Sequence, residues 1–517
     1  MNEETQMTVE QFAGASSAKP SSNWQELPWS KIRAHVFQLQ VRIAKAEREG
    51  KKGKVKALQR LLTSSFYAKC LAVKRVTSNK GNKTPGVDDI ILQTARQKIN
   101  AVYDLKRRDY NPSPLRRIHI PKKSGKLRPL SIPTQKDRAM QALWQTALVP
   151  VAEERADPNA YGFRPKRSTH DAREQCFNAL AKKKSPRWVL EGDISACFDR
   201  ISHEWLLRNI PMDKVVLKKF LKAGFMENGE KHQTTMGTPQ GGTISPTIAL
   251  MALSGLESKL RSGRVRQQKK EQINVIAYAD DFVVTAASKE LLEEKVIPIL
   301  VEALGDVGLE LSKEKTRITQ IEDGFNFLGF NVRKYGNGKL LIKPSKANIK
   351  SFLEEIKEII KKGAALPTDQ LIHRLNQKIT GWTNYYRGSV SSRVFAQIDS
   401  EIFLALKRWG LKRHPRKGKS WIIHRYYTRV GLDHWRFYCT IKDKEGNKKP
   451  LYLKNASATR IRRHKKILAK ANPFNPQFKE YFQKRGKERK TRENVTEHSK
   501  YAGLKVIQPY EGLSGLP

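Results

Sequence analysis

The stretch that most constrains this chain is INVIAYADDFVVTA at residues 273–286. Two apolar, β-branched-rich runs flank Tyr278-Ala279-Asp280-Asp281. That pattern predicts two antiparallel strands with a carboxylate pair at the hairpin tip. Asp is also an ordinary turn residue, because its side chain bonds its own backbone, and the tetrapeptide alone reads as turn chemistry. A second strand-plus-Asp unit upstream changes the balance. In WVLEGDISACFD, residues 188–199, Asp193 leaves a short apolar run and Phe198 follows five residues later. Two-metal phosphoryl transfer needs carboxylates from separate strands converging on ions about 3.5–4 Å apart. Asp193, Asp280 and Asp281 would supply that set.

Charge says what such a site would act on. The 517 residues hold 99 Lys and Arg against 50 Asp and Glu, a net charge of +49. An excess of that size implies a polyanionic partner bound in a salt-dependent way. The cations are spread along the chain rather than gathered on one amphipathic helix, which favours nucleic acid over an anionic membrane. No long uncharged apolar run is present, so no membrane span is expected. Cys70, Cys176, Cys197 and Cys439 stand far apart, which speaks against zinc and disulfides and fits a reducing compartment. The start, MNEETQMTVEQ, has neither the apolar core of a secretion signal nor the Arg-rich character of a transit peptide. A chain of this length predicts two to four domains.

Residues 1–23 are polar and expected to be disordered. Ile32, Val36, Leu39, Ile43 and Ala46 then recur at helical spacing. Val55, Leu58, Leu62 and Phe66 do so again after Gly50-Lys51-Lys52-Gly53. Both stripes predict core faces whose basic backs are solvated or touch RNA. Lys83 to Asp88, KTPGVD, is a turn. RRIHIPKKSGKLRPL at 116–130 predicts a β-hairpin closed by a Ser-Gly turn. Its cations would suit a triphosphate, or simply solvate the hairpin. Tyr161-Gly162-Phe163-Arg164 sets aromatics beside a cation, as a platform for a template base or as an ordinary packed loop. Phe198 would exclude a 2′-hydroxyl by bulk if it lies under the nucleotide sugar; the alternative is a buried core Phe. GTPQGGTISP at 237–246 allows close backbone approach to phosphate or sugar before an apolar helix over 247–260. No Gly-Lys-Ser/Thr follows, so it is not a Walker loop.

In their order these blocks resemble the reverse transcriptases encoded by group II introns, the maturase family. The matching pieces are LRRIHIPKKSGKLRPLSIPTQKDRAMQ, YGFRPKRSTHDA, GDISACFDRISH, GTPQGGTISP, YADD, LELSKEKTRI and FLGFNVR. The resemblance implies an α+β, right-hand polymerase. It would have fingers with an N-terminal helical extension (24–100), fingers and an antiparallel-sheet palm (101–345), an α-helical thumb or X domain (346–425) and a basic DNA-binding region (426–490). It further implies that Asp193 and Asp280 hold two Mg²⁺ ions with Asp281 assisting, and that Lys315 protonates the leaving pyrophosphate. Arg117, Lys122, Lys126 and Arg128 would face the dNTP, Phe198 would gate its sugar, and Gln240 would touch nucleotide or template. Tyr161 and Arg164 would meet the template, and Gly329 belongs to the primer grip. Implied partners are group II intron RNA, target DNA and cDNA, with no zinc and no membrane. The implied location is the bacterial cytoplasm, by the nucleoid, or an organelle that encodes the protein; secretion is not expected.

Beyond the primer grip, residues 346–388 read as helical. One stripe is Ile349, Leu353, Ile356 and Ile360; another is Leu371, Leu375, Ile379, Trp382 and Tyr386. Tyr385, beside that stripe, and Arg387 are the contact candidates for RNA. Two basic runs follow, KRWGLKRHPRKGKSW from Lys407 and RIRRHKKILAK at 460–470. The second places Arg460, Arg462, Arg463, Lys465 and Lys466 as phosphate contacts, against the plain alternative of a solvated face. The tail after Asn472, with 491–517 as its end, is expected to be loose. No cysteine follows Cys439, so the Cys/His-rich endonuclease of many relatives, and nicking of the bottom strand, are not expected. Two other functions stay open. One is a splicing-only RNA cofactor, which would have no use for the three Asp residues; the other is a free-standing polymerase in repair or defence.

Overall fold

The computed structural model describes residues 23–121, 125, 127–262, 265–443 and 445–498. The disorder expected over 1–22, the loose end expected over 499–517, and the triphosphate contacts expected of Lys122 and Lys126 all lie outside these residues.

Helices Trp29–Arg48, Lys52–Ser64, Phe66–Thr77 and Ala95–Asp104 open the chain. The stripe from Ile32 to Ala46 is buried as its spacing predicts, as are Val55, Leu58 and Leu62. Phe66 does not extend that second stripe. Ser65 swings to an extended ψ of 128° and Phe66 begins the next helix. The first three of these helices pack around Gln135–Arg155, which is buried on nearly every face, as a helix enclosed by others must be, and the fourth packs on the third.

The strands follow in order. β1 (Leu115–Pro121) and β2 (Leu127–Ile132) form the expected basic hairpin, with Arg117 opposite Ser131. β3 (Trp188–Asp193) comes after the helix Thr169–Leu180. β4 (Phe225–Glu227) and β5 (Glu230–His232) join the hairpin in a sheet ordered β2-β1-β4-β5. β6 (Asn274–Tyr278), β7 (Asp281–Ala286) and β8 (Arg317–Gln320) complete a second sheet, β6-β7-β3-β8, antiparallel at every pairing. β3 sits inside that sheet with Val189 and Leu190 fully buried. The apolar helix expected over 247–260 is two helices, Ser245–Ala252 and Leu256–Leu260, because Gly255 enters the left-handed region at φ 97°.

β9 (Phe325–Phe327), β10 (Phe330–Lys334) and β11 (Leu340–Pro344) make a third sheet. Helices Lys346–Lys362, Thr368–Tyr386 and Ser392–Arg413 follow it. In the first of these the buried stripe is Phe352, Ile356 and Ile360, with Ile349 and Leu353 only half-buried. The second buries Leu371, Leu375, Ile379 and Tyr386 as the spacing predicts. β12 (Tyr427–Val430), β13 (Asp433–Lys442) and β14 (Lys448–Tyr452) form a last antiparallel sheet.

After β14 the chain doubles back over parts already built. The Arg462 N–H donates to the Arg387 carbonyl at 2.9 Å. His464 Nε2 and the Ile467 N–H both meet Asp171 Oδ1 at 2.8 Å. Arg167 donates to the carbonyls of Ala469 and Ala471, and Asn472 donates to Glu154 at 2.8 Å. The Phe474 ring reaches Phe37 of the first helix. Residues 460–474 are thus a strap from the three-helix unit to the N-terminal helices, anchored by buried Ile467 and Ala471. The tail beyond Asn472 is not loose where it is described. Phe474 is buried, helix Lys479–His498 follows, and Arg485 lies 3.4 Å from Asp171. Among the described residues no helix is long and apolar enough to cross a membrane.

Candidate active site

Register alone brings the first two carboxylates together. Asp193 ends β3 directly opposite Asp281, the first residue of β7, and directly opposed residues hold their Cβ atoms about 4.5–5.5 Å apart. Tyr278 also pairs with Asp281, which leaves Ala279 and Asp280 as a two-residue turn with Ala279 at φ 60°. All three predicted Asp residues therefore stand at one end of one sheet. Like charge and burial have a cost there. Burial first, then the charges of Asp280, Asp193 and Glu191, push the Asp281 carboxyl up to about 7.

Glu191 was not among the expected residues. It lies two residues before Asp193, hence on the same face of β3. It is held by Arg317 at 2.8 Å and the Thr319 hydroxyl at 3.0 Å. The period of two within WVLEGD was the available signal. Lys315 does reach the site, as the counter-ion of Asp193. Its Nζ lies 2.9 Å from both carboxylate oxygens while the side chain stays 64% exposed. Backbone bonds set that approach, from the Ser312 N–H to the Asp193 carbonyl (2.8 Å) and from the Ser195 N–H to the Glu310 carbonyl (2.9 Å).

Of the two roles its composition allowed, the loop before the hairpin takes the packed one. Tyr161 N–H donates to the Ala277 carbonyl at 2.8 Å, and Ala277 N–H to the Asn159 carbonyl at 3.1 Å, so this segment lies along the edge of β6. Gly162 then comes so close that a Cβ would sit 2.3 Å from the Ala279 nitrogen. Pairing with β6 turns Tyr161 inward, to 1% exposure. Arg164, 7% exposed, donates twice to Glu153 at 2.8 Å and also to the Asp157 and Ala160 carbonyls. Neither side chain faces a template; both fix the loop that supports the turn. The exposed aromatic is Phe163 (40%), edge-on to half-buried Phe198 at 5.9 Å. It takes φ 61°, a kink that side-chain alternation could not have revealed.

Loop 237–242 ties the basic hairpin to the turn after β3. Arg128 Nε donates to Gln240 Oε1, and Gln240 Nε2 donates to Asp199 Oδ2, both at 2.7 Å. Thr238 N–H donates to the Phe198 carbonyl at 2.6 Å. Arg128, Gln240 and Phe198 are thereby brought together, with Asp199 as an unforeseen fourth member. Arg117 is not. Its guanidinium lies 3.5 Å over the Phe225 ring and donates to Ser131 Oγ, which commits it to packing between β1 and β4.

Gly329 turns β9 into β10 with φ 81°, after Leu328 at φ 50°, a pair of left-handed residues suited to a tight hairpin. Its carbonyl accepts from the Tyr386 hydroxyl at 3.1 Å and from Asn348 at 3.2 Å. Tyr385 donates to the Leu328 carbonyl at 2.9 Å and stacks on Phe330. That ring packs between sheet and helix, so it is not the RNA-stacking surface its sequence position suggested. Arg387 donates to the Arg460 carbonyl and so holds the strap. Arg460 and Arg463 are exposed and Arg462 is half-buried. Lys465 pairs with Glu488 at 2.8 Å, and burial pushes the half-buried Lys466 ammonium down. This basic run is therefore only partly a free surface.

Among the described residues, no three carboxylate, imidazole or thiol groups stand ready as a metal site. The fit to cations rests on the Asp193–Asp281 pair. One carboxyl is raised by burial and then by its like-charged neighbours, and an ammonium is already drawn to the other. Added positive charge there would relieve repulsion that the fold imposes.

Comparison with known proteins agrees with this geometry. A family profile described as reverse transcriptase (RNA-dependent DNA polymerase) matches residues 120–332. The N-terminal domain of reverse transcriptase matches 24–105, and the group II intron, maturase-specific domain matches 349–427. Protein YkfC of Escherichia coli is 32% identical over 53% of this chain and 83% of its own length. The group II intron-encoded protein LtrA of Lactococcus lactis is 30% identical over 52% of this chain, and the match spans about half (55%) of that relative. A telomerase structure from Candida albicans aligns at TM-score 0.35 and 12% identity, over 61% of this chain and 64% of that one, too weakly to argue from. Fold and site define a polymerase of mixed α and β structure, a reverse transcriptase joined to a maturase domain. The chain belongs to the group II intron-encoded reverse transcriptases and maturases.

Proposed function

We propose that this chain binds a group II intron RNA, assists its splicing and copies it into DNA from dNTPs. Residues 24–100 and 101–345 would act as fingers and palm, residues 346–425 as thumb, and the segment from 426 as a contact to target DNA. The observation that carries the reading is Asp193 facing Asp281 across β3 and β7 with Asp280 at the adjoining turn.

Asp193, Asp280 and Asp281 would hold two Mg²⁺ ions, which when bound supply charge stabilisation to the attacking and leaving oxygens of an in-line displacement. The chain's own residues do the positioning. Arg128, held by Gln240, presents a guanidinium beside the site for the triphosphate. Phe198, backed by Phe163, limits space under the sugar and so favours a deoxynucleotide. Lys315, an exposed ammonium beside Asp193, would be the donor of the proton that the leaving pyrophosphate takes up. The Tyr385 and Tyr386 hydroxyls, through the Leu328 and Gly329 carbonyls, fix the 328–329 turn where a primer would lie. A chain used for splicing alone gains nothing from three carboxylates held against their own repulsion, and this favours joint activity. Primer extension by purified protein with an RNA template, dNTPs and Mg²⁺ tests the proposal. Templated DNA synthesis is expected, and none under any divalent cation would overturn it.

A further inference from the structure

Far from the paired carboxylates in sequence, helices Lys346–Lys362 and Ser392–Arg413 enclose a cleft of about 810 Å³. Ligand sites commonly occupy roughly 300–1,000 Å³. Lys357, Ile360 and Lys361 line one wall, and Ala405, Arg408, Trp409 and Lys412 the other. Steps of three and four residues put each set on one helix face. The floor is apolar, since Ile360, Ala405 and Trp409 are buried, and the rim is cationic, since Lys357, Lys361, Arg408 and Lys412 are exposed.

Two rim cations are already committed. Lys357 pairs with Glu401 at 3.1 Å. Arg413 donates to the Ala364 and Leu366 carbonyls at 2.9 and 2.8 Å, which fixes the end wall beside Ala365. Among the described residues no carboxylate lines the cleft, and neither Lys361 nor Lys412 has an ion-pair partner. The Trp409 indole N–H is buried without an acceptor, a donor left unmet at some cost.

We infer that this cleft receives one unpaired nucleotide of the bound RNA, its base lowered against the apolar floor beside the Arg413 guanidinium, which lies 5.2 Å over the Trp409 ring, and its flanking phosphates on the lysine rim. An uncharged apolar ligand would have no use for the rim. A duplex could use the rim but cannot lower a base to the floor. Only an unstacked nucleotide offers a flat apolar face and neighbouring phosphates together. The inference rests on the proposed RNA binding and gives it a specific seat.

The test uses the full chain with two probes, an RNA stem-loop carrying 2-aminopurine in the loop and the same stem closed as a blunt duplex. The stem-loop is expected to bind about tenfold more tightly, the scale of one stacked base, with a change in 2-aminopurine fluorescence. Ala365→Trp fills the end of the cleft without changing charge, and Lys361→Glu reverses one rim charge. Each should erase the preference while leaving extension of a pre-annealed primer at the wild-type level. Equal wild-type affinity for both probes, or a preference intact in both variants, would overturn the site. Failure of the polymerase proposal would show separately, as no extension by the wild type.

Discussion

The hairpin tip at 278–281 and the strap at 460–474 are both rich in charge, and they follow opposite rules. At the tip, backbone register forces like charges together in a buried place, and burial first, then those charges, lift the Asp281 carboxyl to about 7. Along the strap, opposite charges and backbone donors converge on Asp171, which accepts from Ser168, His464, the Ile467 N–H and Arg485. Charge that the fold opposes points to a ligand. Charge that the fold satisfies points to architecture.

Substitutions at the two places should therefore separate activity from stability. Asp280→Ala should lower primer extension on the order of 10³-fold, since such metal contacts supply several kcal/mol to the transition state, with a denaturation midpoint no lower than wild type because like-charge repulsion is relieved; extension within tenfold of wild type would break the comparison. Asp171→Ala should do the reverse. It leaves buried donors unpaired at a cost of about 3 kcal/mol, seen as an earlier denaturant midpoint with extension retained at low temperature. Arg460→Glu with Arg463→Glu alters exposed strap side chains but not the Arg460 carbonyl that Arg387 holds. DNA binding should weaken about tenfold at moderate salt with no change in melting; an equal loss of extension on a pre-annealed primer would mean these residues serve the polymerase.

Acid and base should act with opposite signs at the two regions. His170, tilted against the rings of Tyr385 and His464, is held down to about 4 by burial and then by Arg173 and His464. Its folded pKa lies below the ordinary 6.5, so only the unfolded chain takes up the proton as pH falls, and stability drops from about 6.5 towards 4. Asp281 lies above its ordinary 3.8. It contributes stability below that value and loses it as pH rises through about 7. Urea titrations of His170→Phe and Asp281→Asn across this range should each flatten one limb; the same limb flattened in both would contradict the assignment. Smallest of all, Phe198→Val should raise ribonucleotide incorporation a few-fold, and unchanged sugar discrimination would make Phe198 a packing residue.

What the sequence disclosed followed from locality. The YADD hairpin, the β3 unit and the basic hairpin each announce themselves within about fifteen residues, through strand alternation and turn chemistry. Asp193, Asp280 and Asp281 were legible for that reason. Tyr161, Arg164, Tyr385 and Arg387 could not be placed from sequence because their partners lie elsewhere: a β6 edge, a glutamate on helix Gln135–Arg155, the carbonyls of Leu328 and Arg460. The strap was least legible. Asp171 and Ile467 are 296 residues apart, and no local pattern distinguishes a basic run that contacts phosphate from one whose backbone is tied down.

That tether bears on how this enzyme could be shortened. Recognisable similarity to the maturase-specific domain stops at residue 427, an inviting place to end a minimal version. Cutting there would strip Asp171 of His464, Ile467 and Arg485, and Arg167 of the Ala469 and Ala471 carbonyls. A trimmed protein would carry under-paired ions inside its polymerase half, Asp171 left with Ser168 and Arg167 with Glu153, a wound far from the scissors.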